Sequence, residues 1–154
     1  MATIEIYARH GEWNAGTGGL TNIGKTQAHN LAERVQLFFA QDSGKPTILS
    51  SLATRAQETA AIIGDLLKQP YETTIGLGDV TGRATSERWM MERLAQYLTH
   101  PGVICVTHTD QANILSRLAR NKNAVFSAVN IDELPEGGAY MFRHTRAEVV
   151  VFQG

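Results

Sequence analysis

The chain reads as an α/β protein: a three-layer α/β/α sandwich on a mostly parallel central sheet, in one domain over residues 1–154. Three observations predict it. Strand-like and helix-like segments alternate along the sequence, the pattern of a parallel sheet covered on both faces. Val103-Ile104-Cys105-Val106 is an unbroken apolar run leading into Thr107, as a strand buried on both sides requires. No repeat, low-complexity tract or linker interrupts the alternation.

Taken in order, Ile4–Ala8 is a short β-type run that ends at Arg9-His10-Gly11. A glycine-rich loop follows, from Asn14 to Gly19, and Thr21 is placed to cap a helix. The apolar face of that helix is Ala28, Leu31, Ala32, Val35, Phe38 and Phe39, at spacings of three and four. Gly44-Lys45-Pro46 ends it, and Thr47–Ser50 is a second strand. Thr54 to Leu67 reads as a second helix, with Ala56, Thr59, Ala60, Ile63 and Leu67 on one face. A strand is expected at Tyr71–Ile75, then a third helix at about Ser86–Leu98. Val103–Thr107 is the clearest buried strand, and Ala112–Leu118 continues as a helix. From Val125 onward the tail reads as strands, with Ala139–Phe142 and Glu148–Phe152 flanking a turn.

A chain of 154 residues buries one sizeable core without disulfides or metals. Hydrophobic residues at 43% and charged residues at 19% are an ordinary globular balance. The formal net charge of −1 gives no overall attraction to nucleic acid or an anionic membrane, so any anion-binding power is local. Cys105 stands alone in an apolar run and reads as buried filler. Met1–Glu5 lacks the basic start and apolar stretch of a secretory leader, and no segment approaches the roughly 20 apolar residues of a membrane span. The expected compartment is the cytoplasm.

Ligands of parallel sheets collect outside the carboxyl ends of the strands. Three segments leave those ends carrying suitable chemistry: Arg9-His10 after the first strand, Arg55 after the second, and His108 after the Val103–Thr107 strand. Arginine suits a phosphoryl group because its planar fork donates two parallel charge-assisted hydrogen bonds. A histidine among such cations is pushed toward its neutral, nucleophilic form. Two arginines and two histidines at one sheet edge make an anion site.

These residues also sit in recognisable strings. Ala8-Arg9-His10-Gly11-Glu12 resembles the Arg-His-Gly signature of the histidine phosphatase superfamily, the relatives of cofactor-dependent phosphoglycerate mutase. The resemblance continues through Leu20-Thr21-x-x-Gly24-x-x-Gln27-Ala28 and Ser50-Ser51-x-x-x-Arg55-x-x-x-Thr59-Ala60, and closes with Val106-Thr107-His108. It implies a phosphoglycerate mutase-like fold and a metal-independent phosphohydrolase with no cofactor. His10 would attack phosphorus, Arg9 and Arg55 would clamp the phosphate, and His108 would complete the pocket. Water would then hydrolyse the phosphohistidine. The implied partner is a phosphorylated small molecule or a phosphoprotein, phosphohistidine included.

The resemblance places the general acid beyond the second arginine. Ile75–Gly82 looks like the corresponding stretch and puts Asp79 at the acid position, with Asp110 and then Glu87 as rivals. Short relatives acting on phosphohistidine need no strong acid. Where relatives often carry Ser or Thr, three residues past the nucleophile, this chain has Trp13, a candidate lid or binding residue. Asn14 or Thr17 would contact phosphate instead. Only 52 residues separate Arg55 from His108, which leaves little for a cap insertion and predicts an open site. A bisphosphate intermediate must be kept from water, so an open site argues against mutase activity.

The sequence also admits two other readings. Gly19-x-x-x-x-Gly24-Lys25-Thr26 matches the nucleotide-binding P-loop pattern, but about ten residues part it from the first strand, and the match reads as chance. A phospho-ligand binding module without turnover would carry the same pocket. His29, His100 and His144 read as structural or exposed, and Trp89, Met90 and Met91 as helix packing.

Overall fold

The computed structural model describes residues 3–40, 44–81, 86–99 and 101–154. Its strands are β1 (Ile4–Arg9), β2 (Thr47–Ser50), β3 (Glu72–Thr73), β4 (Gly102–Thr107), β5 (Ala139–Arg143) and β6 (Glu148–Phe152). The helices are α1 (Asn22–Phe39), α2 (Thr54–Leu67), α3 (Glu87–Leu94) and α4 (Thr109–Asn121). The strands form one sheet in the order β3-β2-β4-β1-β5-β6. The first four run parallel, β5 pairs antiparallel with β1, and β6 pairs antiparallel with β5.

Alternation along the strands divides the core in two. Ile4, Ile6 and Ala8 of β1 join Ile104 and Val106 of β4 against the apolar faces of α1 and α2. Tyr7, Val103 and Cys105 face the other way, onto Leu94 of α3 and Ala112, Leu115 and Ala119 of α4. Every apolar position read from the α1 periodicity is buried, and the Thr21 hydroxyl accepts from the Gly24 amide to start that helix. Cys105 is buried, and burial pushes its thiol well above the usual range.

Three elements differ from their sequence reading. The strand expected at Tyr71–Ile75 shrinks to Glu72–Thr73, an exposed edge followed by a 3-10 turn at Ile75–Leu77. The third helix ends as α3 at Leu94 and continues as a 3-10 turn, Ala95–Tyr97. Val125 begins no strand. The Asn123 side chain caps a 3-10 turn at Ala124–Phe126 that drives Phe126 edge-on into Phe142. His100 lies outside the described residues.

At the amino end of β1, buried Glu5 accepts from Tyr7, from Lys122 at 2.9 Å and from His144 at 2.6 Å. These partners hold its carboxyl below the ordinary range against the opposing effect of burial. His144 is thereby structural, and His29 is exposed. Among the described residues, no helix is long and apolar enough to cross a membrane.

Candidate active site

Register builds the site. Arg9 pairs with Thr107 across β1 and β4, so the next residue on each strand is a histidine. The His10 amide donates to the Thr107 carbonyl at 3.1 Å, and the two rings stand 5.2 Å apart, edge to face. The next strand adds Ser51, whose amide donates to the Val106 carbonyl and whose hydroxyl meets His108 Nε2 at 3.0 Å. Arg55, in the first turn of α2, reaches back over both rings.

His10 is held in a defined form. Its Nδ1 donates to the Gly11 carbonyl at 2.8 Å, and its Nε2 accepts from Arg55 Nε at 3.2 Å. A carbonyl accepts only and a guanidinium donates only, so the ring is neutral, with its lone pair on Nε2. Burial is the chief reason its pKa falls to about 3, against the raising effect of the Gly11 carbonyl. The charges of His108, Arg55 and Arg9 add to the fall. His108 drops to about 4, first through burial and then through Arg55. Burial also lowers Arg55.

Behind His10, Thr59 of α2 fastens the loop, accepting from the Gly11 amide at 3.1 Å and donating to the Arg55 carbonyl at 2.9 Å. Glu12 donates its amide to Gln27 and accepts from the Thr21 hydroxyl. Arg9 donates to the Leu134 carbonyl at 2.8 Å.

A cavity of about 240 Å³ is lined by Arg9, His10, Trp13, Arg55, Thr81, His108, Thr109 and Asp110. Four sequence-predicted residues, Arg9, His10, Arg55 and His108, therefore meet at one edge. Asp79, Asn14 and Thr17 do not line it, for one shared reason: short polar side chains in loops bond their own backbone first. Exposed Asp79 accepts from the Thr81 amide at 2.8 Å and hydroxyl at 2.6 Å, which hold its carboxyl below the ordinary range. Asn14 Oδ1 accepts from the Gly16 amide, and the Thr17 hydroxyl from the Gly19 amide. Glu87 is exposed in the first turn of α3 and does not line the cavity either. Asp110 does.

Sequence reasoning passed over Ser51 and Thr59, although both lie in the quoted strings. Thr81, Thr109 and the Leu134 carbonyl carry no signal that sequence reveals. The P-loop pattern is accounted for otherwise: Gly24, Lys25 and Thr26 lie inside α1, and the Lys25 amide is already bonded to the Thr21 carbonyl. Among the described residues, no three His, Cys, Asp or Glu side chains stand together as a metal site.

Two arginines and two neutral histidines thus gather at the carboxyl edge of the parallel strands, where α/β proteins bind their ligands. The model for the histidine phosphatase superfamily, branch 1, matches residues 6–101, and the chain belongs to that superfamily. Among solved structures it is similar to a proposed phosphohistidine phosphatase, SixA, from Agrobacterium tumefaciens. That likeness has 20% identity, covers 93% of this chain and 92% of that one, and has a TM-score of 0.67. A mycobacterial glucosyl-3-phosphoglycerate phosphatase is 18% identical over 99% of this chain and all of that one, with a TM-score of 0.64. The phosphoglycerate mutase of Plasmodium falciparum is 17% identical over 98% and 89%, with a TM-score of 0.57. At these identities the likeness is one of fold. No curated protein matches by sequence.

Proposed function

We propose that the chain is a phosphatase that works through a phosphohistidine on His10. One observation carries the reading: the neutral Nε2 of His10 shares a small cavity with two arginines and a second histidine. On binding, the phosphoryl oxygens take over hydrogen bonds from Arg55 and Arg9, which frees the Nε2 lone pair. That pair attacks phosphorus as the bond to the leaving atom breaks. His108 and the arginines hold the three remaining oxygens while their charge redistributes. Water then attacks phosphorus and passes its proton to the Asp110 carboxylate, while the electrons of the breaking P–N bond return to Nε2.

An oxygen leaving group needs a proton, and Asp110 is the carboxyl placed to supply it. Asp79 is outside the cavity lining, and its Oδ1 already accepts from both the Thr81 amide and the Thr81 hydroxyl. The substrate class is a phosphate monoester or a phosphorylated protein. Phosphohistidine, named for the Agrobacterium structure, is one member of that class, bound here mainly through its phosphoryl group.

The test is turnover of p-nitrophenyl phosphate beside orthovanadate binding. His10→Ala abolishes turnover and leaves vanadate bound through the arginines. A wild-type chain that binds vanadate tightly without turnover would instead be a phosphate-binding module.

A further inference from the structure

We propose that Trp13 is a positioning residue: its indole is the neutral seat that holds the Arg55 guanidinium toward His10 and the phosphoryl group. The inference rests on the phosphatase reading above. The Arg55 guanidinium carbon lies 4.0 Å from the centre of the Trp13 ring, and the centres of the Trp13 and His10 rings are 6.4 Å apart with their planes at 88°. The polar contacts of Arg55 are thinner. Its Nε bond to His10 is 3.2 Å, while those to the Val80 carbonyl and His108 Nδ1 are both 3.5 Å.

The chemistry explains why an aromatic serves there. A long, mobile arginine must be ordered before it acts, at a cost in side-chain entropy. A carboxylate would order it but would cancel its charge and compete with phosphate. Among the described residues, no carboxylate is paired with Arg55. A π face attracts the cation through its quadrupole and leaves the full charge for a dianion. Arg9 follows the same rule, since its anchor is the neutral Leu134 carbonyl.

Trp13 is itself fixed from two sides. It forms an antiparallel bridge with Leu20 that closes the Asn14–Gly19 turn. Within that turn the Asn14 amide and carbonyl bond Gly19 and Gly18, and Gly18 takes a φ of 78°. The other arm is tied to α2, where Glu58 accepts from the Leu20 amide at 3.4 Å, one turn beyond Arg55. Asn14 and Thr17 thus act through this turn.

The test compares Trp13→Phe, Trp13→Leu and Trp13→Ala in p-nitrophenyl phosphate turnover and orthovanadate affinity, in wild-type and Arg55→Ala backgrounds. Trp13→Ala and Trp13→Leu should each weaken vanadate binding and kcat/KM about tenfold, the scale of a desolvated cation–π contact. Trp13→Phe should recover most of that loss. In the Arg55→Ala background the Trp13 substitutions should have no further effect, which a merely structural role would not produce. Trp89 stacks on Arg93 at the same 4.0 Å away from the cavity, and Trp89→Phe should leave both readouts unchanged. Undiminished Trp13→Leu, or equal losses with and without Arg55, would overturn the seat. An inactive wild-type chain would instead overturn the phosphatase reading.

Discussion

Gly11 and Gly24 pack backbone against backbone, joining the loop after His10 to α1 with no room for a side chain. A β-carbon on Gly11 would come within 2.5 Å of the Gly24 carbonyl oxygen, and one on Gly24 within 1.9 Å of the Glu12 carbonyl oxygen. The obstacles are main chain, so neither can swing aside.

Gly24→Ala should therefore displace the loop that carries His10. Overpacking of this kind costs about 1–3 kcal/mol, and here the shift falls on the backbone that carries His10. Urea unfolding and turnover, measured together, should both fall. A stable, fully active variant would show that the contact is not required.

Acid stability follows from the two histidines. Their folded pKa values, about 3 and about 4, lie below the ordinary 6.5. Between those limits the unfolded chain binds protons that the folded chain refuses, so stability falls as pH drops below about 6.5 and is complete above it. Each site contributes a slope of up to about 1.4 kcal/mol per pH unit. Urea midpoints from pH 7.5 to 4.5 should decline less steeply for His108→Gln than for the wild type. Parallel curves would contradict the burial of a neutral ring.

Leaving-group dependence separates the carboxylates. Asp110→Asn should slow a poor alkyl leaving group by about 10²–10³ and p-nitrophenolate far less. Asp79→Asn should change neither by more than a few-fold. The reverse pattern would return the proton donor to Asp79.

Much of this was legible in the sequence, for local reasons. Gly44-Lys45-Pro46 and the periodic faces bound β2 and α2 at the residues expected. Arg9, His10, Arg55 and His108 could be placed at one edge because each follows a strand that the topology makes parallel. Tyr71–Ile75 misled because its β-type residues lie at an exposed edge with little to pair against. Asp79, Asn14 and Thr17 stand outside the cavity lining because their side chains turn to their own loops, a choice made by turn geometry rather than residue type. Trp13 stood out as an aromatic in a loop, but its contact with Arg55 depends on the Leu20 bridge, which no spacing reveals.

The most direct measurement is acid quenching of the enzyme during turnover of a ³²P-labelled phosphodonor, followed by peptide mapping. The label should be acid-labile, stable in alkali and confined to the peptide bearing His10, at up to one equivalent per chain. Label on His108, or burst-free turnover with no label on either histidine, would contradict nucleophilic attack by His10.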